Sequence, residues 1–430
     1  MLEILQSIIT IFLITINCYF PKKYYLSFIG SKKNHLHFID QLSLGIVIHI
    51  FSLLILSFLT LFSQKIILIY FFLLFFHNII FIFKEKIQTI NFKLEIFFLF
   101  FIIFILSTYF LNNFVIGWDA QNYWINKALT ILNDNSIENL KYTTRPEYPH
   151  LGSFIWSFYT KFSFINNELY GRIFYIYFFC LSLISVSEIL SKNKKHNLIF
   201  FCFLILVCFK TNIFNGYQEI LIFSFFVIIT KEFYVILNNK TSNNLKEFLV
   251  IIISCSSISW IKSEGMILAL LFLLTLIIYN KASIKKQLIL SFFALIIIIS
   301  RFFYLSQIDV SSSFQSGNYE FLSLFNIIDY ISFDRIFLII KYFIIGSFQN
   351  LIFLFSILCS IFMIINTKRI KPIKYHLLYL LLCLMFIFTA YLFTNIPLEF
   401  HLKNSIDRLF LQISGFFIIF LIITYRKLYK

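Results

Sequence analysis

Uninterrupted apolar runs of about 20 residues recur from one end of this chain to the other, and no other feature restricts its fold as strongly. Glu95 to Leu111, EIFFLFFIIFILSTYFL, is representative. As a helix, such a run crosses a hydrocarbon core of roughly 30 Å, and in lipid every backbone N–H and C=O needs a partner within its own element. Helices meet that demand. Of the 430 residues, 60% are hydrophobic and 21% aromatic, and the mean hydropathy is +0.87, far above that of ordinary soluble domains. The chain reads as an all-α, polytopic membrane protein, one domain over residues 1–430.

Apolar length and breaks predict about 13 helices. They run Met1–Phe20, Asp40–Phe62, Ile66–Phe83, Ile96–Leu111, Arg172–Leu190, Asn197–Phe214, Glu219–Leu237, Phe248–Trp260, Met266–Tyr279, Leu288–Tyr304, Ile336–Ile365, Tyr375–Thr394 and Leu409–Tyr425. The first begins with Glu3 in place of a basic segment and lacks a small-residue cleavage site, so it reads as a retained helix. Ile336–Ile365 is long for one span and contains Lys341, Gly346 and Gln349, which suggests a short outer-leaflet helix followed by a crossing. All seven cysteines fall inside apolar runs, without the spacing of a zinc site or a disulfide framework.

The formal charge of +16 comes from short basic clusters between apolar runs, as in cytoplasmic loops, and does not point to nucleic acid. With the N-terminus outside, every alternate loop is basic: PKKYYLSFIGSKK, KEKIQTINFK, SKNKK, NNKTSNNLK, NKASIKK, TKRIKPIK and RKLYK. The opposite loops hold most of the acids and include the outer loops 112–171, 305–335 and 395–408, together with NGYQE and KSEG. The first is about 60 residues long, and WDAQNYWINKALTIL within it has the spacing of an amphipathic surface helix.

Five outer segments carry candidate chemistry. In GWDAQNYWINKA, Asp119 is placed to act as a general base toward a hydroxyl, with Trp118, Tyr123 and Trp124 as a sugar-binding or water-excluding surface. The alternative is that Asp119 caps the following helix and the tryptophans belong to the interfacial aromatic belt. TTRPEYPHLGSFIW holds Arg145 and His150 on a proline-stiffened turn, either as phosphate ligands or as solvated loop residues. Glu219 in NGYQE begins a helix, where a carboxylate is electrostatically favoured, at a depth similar to that of Asp119. Lys262 and Glu264 in SWIKSEGM lie between two apolar runs, as a functional pair or a mutual salt bridge. In EFHLKNSIDRLFLQ, His401 and Arg408 precede the final helix. Arg408 suits bidentate contact with a phosphate; a pairing with Asp407 or snorkelling is the alternative.

In order and in common sidedness, WDAQNYWINKA, EYPHLGSFIW, NGYQE, WIKSEG and HLKNSIDRLFLQ resemble segments of the GT-C integral-membrane glycosyltransferases, in particular the bacterial group related to protein mannosyltransferases and lipopolysaccharide-core transferases. The resemblance implies a GT-C type fold and transfer of a sugar from a polyprenyl-phosphate donor to a glycan, lipid or protein acceptor, at the outer face of the bacterial inner membrane. It assigns Asp119 and Glu219 to the catalytic centre and Arg408 to the donor phosphate, and it matches Lys262 and Glu264 to a Lys-x-Glu-Gly element. By residue chemistry and common sidedness, Lys262 and Arg145 are expected at the donor phosphate, and Trp118, Tyr123, Trp124, His150, Glu264 and His401 at substrate. No nucleotide is implied, and no phosphate-binding glycine loop occurs. A divalent cation is left open; the family's paired Asp-Glu is replaced by Asp119–Ala120, which weakens a metal site and protein O-mannosylation alike. Two rivals are an O-antigen polymerase or ligase, whose large outer loop falls late in the chain, and a transporter or flippase, which calls for ionisable residues in mid-helix and repeat symmetry.

Overall fold

The computed structural model describes residues 2–24, 38–84, 94–112, 115–163, 167–209, 215–238, 245–280, 283–307, 331–366, 373–394 and 396–428. Residues 25–37, 85–93, 239–244, 281–282 and 367–372 of the basic loops lie outside them, as do residues 308–330 of the expected outer loop 305–335. Among the described residues the chain forms sixteen α-helices and no strand. They are α1 (Leu2–Asn17), α2 (Phe38–Leu59), α3 (Ile66–Lys84), α4 (Leu94–Asn112), α5 (Ile125–Asp134), α6 (Leu151–Lys161), α7 (Ile173–Ser187), α8 (Lys194–Cys208), α9 (Glu219–Asn238), α10 (Leu245–Ser259), α11 (Ser263–Tyr279), α12 (Ile284–Gln307), α13 (Phe333–Gln349), α14 (Leu351–Asn366), α15 (Lys374–Leu392) and α16 (Leu398–Leu428).

Helices apolar all round have two places to go, the centre of a bundle or the lipid. α7, every residue of which is buried, takes the centre with α9 and the second half of α16. α3, with only Ile67, Phe71 and Asn78 buried, and α12 take the periphery. The α9–α16 contact is close because Gly415 has no Cβ, which would run into the Phe223 carbonyl; small residues admit such backbone approach between membrane helices.

Each expected helix meets a helix, but not each is long enough to cross. Among the described residues nine helices have the length and apolarity for a span, ten if a bent pair is counted as one. The shortfall lies in α8, α10 and α11, of 15, 15 and 17 residues; at 1.5 Å per residue, 15 residues cover about 23 Å. The bent pair is α13 and α14, which meet at 104° beside Asn350. This is the expected break in Ile336–Ile365, and α13 turns an apolar stripe outward through Phe333, Phe337, Ile340, Ile344 and Phe348.

The final helix departs most from expectation. It starts at Leu398, not Leu409, so most of the expected loop 395–408 is helix. Leu398, Leu402 and Ile406 are buried at a spacing of four while Phe400, Lys403 and Asn404 face out, so an amphipathic stretch extends the apolar span. Arg408 therefore projects from a rigid helix. At the opposite end of the bundle, Lys231 of α9 binds Asp40 of α2 at 2.7 Å, Ser185 of α7 at 2.7 Å and Glu188 at 3.5 Å. This tie holds three helix ends.

Candidate active site

Residues 115–117 form an irregular stretch pinned at Gly117, whose N–H donates to the Asn215 carbonyl at 2.7 Å. A side chain at Gly117 would meet the Tyr217 ring, and Gly216, at φ +90, sits against the Ala120 Cβ. Two close approaches thus lock the start of the large segment against the turn before α9. Asp119 follows, leading into one turn of π-helix, Ala120–Trp124, a rare element that recurs at functional sites. The Asp119 side chain makes no cap hydrogen bond. It is directed instead to Arg408.

Five ionisable groups form a chain at this end of the bundle. Arg408 Nη1 pairs with Asp119 Oδ2 and stands 3.6 Å from Glu219 Oε1. Lys262 Nζ binds the same Glu219 oxygen at 3.0 Å and lies 3.6 Å from Glu264 Oε1. The Arg408 guanidinium also covers the Tyr217 ring at 4.6 Å. Side-chain exposure grades the site: Glu219, at 2%, is the floor, Lys262 and Arg408 lie at 10% and 14%, and Asp119 and Glu264, at 23% and 38%, form the mouth. Burial alone would lower the Lys262 ammonium, but the Glu219 and Glu264 carboxylates overcome it and hold the group above its ordinary value. It stays charged at neutral pH.

Two cations are thus set against three carboxylates, and part of their capacity is unused. Glu219 Oε2 and Arg408 Nε are buried without a hydrogen-bond partner among the described residues, as are both polar atoms of Gln412, one turn further along α16. Asp119 and Arg408 stand 289 residues apart in sequence, yet they are directly paired.

Arg172, which the sequence reading counted only as a helix start, is what orients the floor. It is 1% exposed, donates to the Gly216 carbonyl at 2.7 Å, and lies over the rings of Tyr175 and Trp156 at 4.0 and 4.9 Å. The Tyr175 hydroxyl in turn stands 2.7 Å from the Gly152 carbonyl and 2.8 Å from Gln218 Oε1. These contacts hold the turn that delivers Tyr217 and Glu219. The signal was an arginine at the start of an apolar run, where charge is costly.

Of the expected site residues, Asp119, Glu219, Lys262, Glu264 and Arg408 come together. Arg145, His150 and His401 do not join them by any hydrogen bond or ion pair among the described residues. His150 is fully buried, with Nε2 2.8 Å from Ser57 Oγ and its ring among Phe58, Trp260 and Tyr304. Burial, then the charges of Lys127 and Arg301, push its imidazole down to about 3, so it is neutral near pH 7. Arg145 pairs with Glu147 at 3.5 Å on the proline turn. His401 Nδ1 is 2.9 Å from Thr394 Oγ1 and its ring packs on Tyr391.

The aromatic residues divide in the same way. Trp124 is 2% exposed and stacks on Tyr148 at 5.7 Å, as a packing residue. Trp118 is 64% exposed, beside Asp119, and meets the edge of Tyr123 at 5.6 Å. Tyr123 in turn meets Tyr148 at 5.6 Å, so one aromatic surface runs from the carboxylate to the proline turn. Among the described residues no three His, Cys, Asp or Glu side chains gather as a metal site.

No family model, curated protein or solved structure matches the chain.

Proposed function

We propose that this multi-pass membrane protein is a glycosyltransferase of GT-C type, and that it transfers a sugar from a polyprenyl-phosphate carrier to an acceptor hydroxyl at the outer face of the bacterial inner membrane. The observation that carries the reading is the Asp119–Arg408–Glu219–Lys262 chain. It joins a base and two cations, from four separate segments, at one end of a bundle of membrane-length helices. That is the chemistry required where a lipid-tethered phosphate ester meets an alcohol.

In the reaction, the acceptor oxygen bonds to the anomeric carbon while its proton passes to Asp119. The bond from the anomeric carbon to the phosphate oxygen breaks, and its electron pair leaves with polyprenyl phosphate. Arg408 and Lys262 stabilise the charge that develops there. Glu219, behind both cations, is a positioning residue in this scheme, because at 2% exposure it faces Arg408 and Lys262. Arg408 is held by Asp119, and the donor phosphate takes the place of that carboxylate at the guanidinium. Donor binding thereby frees the base beside the bond it serves.

Membranes carrying the chain are expected to move radiolabel from at least one polyprenyl-phosphate sugar to lipid, glycan or protein. Control membranes lacking the chain are expected not to do so. Absence of transfer from every donor in a panel covering hexoses and pentoses would contradict the proposal. The orientation has its own check. Tyr142, 78% exposed at the site end, and Lys192, exposed between α7 and α8 at the opposite end, are each replaced by cysteine. In intact cells an impermeant thiol reagent should label position 142 and spare 192. The reverse pattern would place the site in the cytoplasm.

A further inference from the structure

The proline turn beyond the aromatic surface gathers more positive charge than it neutralises. Lys127 of α5 is fully buried and donates to the Tyr148 carbonyl at 2.6 Å. Arg301 of α12 is 7% exposed, donates to the Glu147 carbonyl, and lies over the rings of Tyr304 and Trp260 at 5.3 and 5.4 Å. Arg145, on the turn itself, reaches Glu147 Oε1 at 3.5 Å. Three basic side chains share one carboxylate, a formal excess of one positive charge with Lys127 neutral and of two with it protonated.

Uncompensated charge is costly in a low-dielectric interior. Lys127 registers the cost: burial, reinforced by Arg301 and partly opposed by Glu147, pushes its ammonium down to about 7. Three polar atoms at the same place, Arg301 Nη1, Glu147 Oε2 and His150 Nδ1, are buried without a hydrogen-bond partner among the described residues. The five ion-paired groups of the donor end have the opposite balance, with three carboxylates against two cations. A second negative group is therefore better received at the turn than beside Asp119.

We infer that Arg145, Lys127 and Arg301 form a second anion site, which takes a phosphate or carboxylate group carried by the acceptor while the acceptor hydroxyl lies at Asp119. The assignment to the acceptor rests on the glycosyltransferase reading; the anion site itself does not. Arg145 makes the contact, because its side chain, at 19% exposure, is the most accessible of the three cations and its planar fork matches both anions. Lys127 and Arg301 supply the field behind it. The path from base to cation follows one aromatic surface, since Trp118 adjoins Asp119, Tyr123 meets Trp118, and Tyr123 meets Tyr148 on the turn that bears Arg145. A sugar ring laid on Trp118 thus has its hydroxyl near the base and an acidic substituent within reach of Arg145.

The first test uses inorganic phosphate and the thermal unfolding midpoint of the purified full chain. Phosphate should raise the midpoint of wild type and of Arg408→Gln alike. In Arg145→Gln its apparent affinity should fall about tenfold or more, the loss expected for a charge-assisted hydrogen bond. Arg408→Lys stands in if Arg408→Gln fails to fold. No phosphate effect in wild type, or an effect lost with the Arg408 variant and indifferent to Arg145→Gln, overturns the second site; buried water then accounts for the orphan atoms.

The second test compares anionic and neutral forms of one glycan acceptor. Arg145→Gln should raise KM for the anionic form about tenfold, with KM for the neutral form and for the donor unchanged. A rise in donor KM instead assigns the anion to a donor diphosphate and overturns the acceptor assignment. Failure of transfer in wild type removes the glycosyltransferase reading, whereas the phosphate titration still decides the anion site by itself.

Discussion

Asp119→Asn is expected to lower the rate of sugar transfer by about 10²–10⁴-fold, the range for loss of a general base. Asparagine keeps the size of the side chain and cannot accept the acceptor proton. The fold should survive, because Asp119 is 23% exposed and bonds Arg408 without capping its helix. Donor affinity should not fall, since the change releases Arg408 for the phosphate. Normal turnover with weakened donor binding would invert the roles given to this pair.

Arg408→Gln carries the second large effect. Removal of one preorganised charge donor from a developing oxyanion costs about 10²–10³-fold in rate, and here it also leaves Glu219, 2% exposed, with Lys262 as its one ion-pair partner among the described residues. The variant should unfold at a lower temperature, by an amount tempered by the solvent that reaches Asp119. Arg408→Lys separates the two consequences. An ammonium restores the charge and much of the stability, but it cannot present the planar fork to a phosphate, so rate recovers less than stability. Kinetics and thermal unfolding of the two variants, measured side by side, give the comparison. Equal recovery of both would make Arg408 a structural tie only.

Apolar runs made the helices legible, because lipid leaves a run of 20 such residues almost no alternative. Even the 104° bend between α13 and α14 was foreshadowed by Gly346 and Gln349 within an overlong stretch. The start of α16 was hidden for the opposite reason. Glu399, His401, Lys403 and Arg408 read as loop by composition, while the buried spacing of Leu398, Leu402 and Ile406 carried the helix beneath them.

Site residues were legible as types at one boundary, but not as partners. One sequence offers no physical ground for pairing Asp119 with Arg408 across 289 residues, or for separating Arg145 and His150 from them. Depth and sidedness were the available information, and both clusters share them. The helix-capping alternative for Asp119 was a fair local reading. It fails because the Gly117–Asn215 and Gly216–Ala120 contacts seat Asp119 against the turn before α9, where Arg408 takes up its carboxylate.

The central claim is a chemical one, that this chain cleaves a sugar from polyprenyl phosphate and hands it to a hydroxyl. It is tested most directly with purified protein in proteoliposomes, by counting both products of one labelled donor, the glycosylated acceptor and the free polyprenyl phosphate. The account predicts that the two appear together, one for one, with wild type, and that neither appears with Asp119→Asn at equal folded protein. A donor panel left untouched by wild type, or products formed equally by the Asp119 variant, would contradict it.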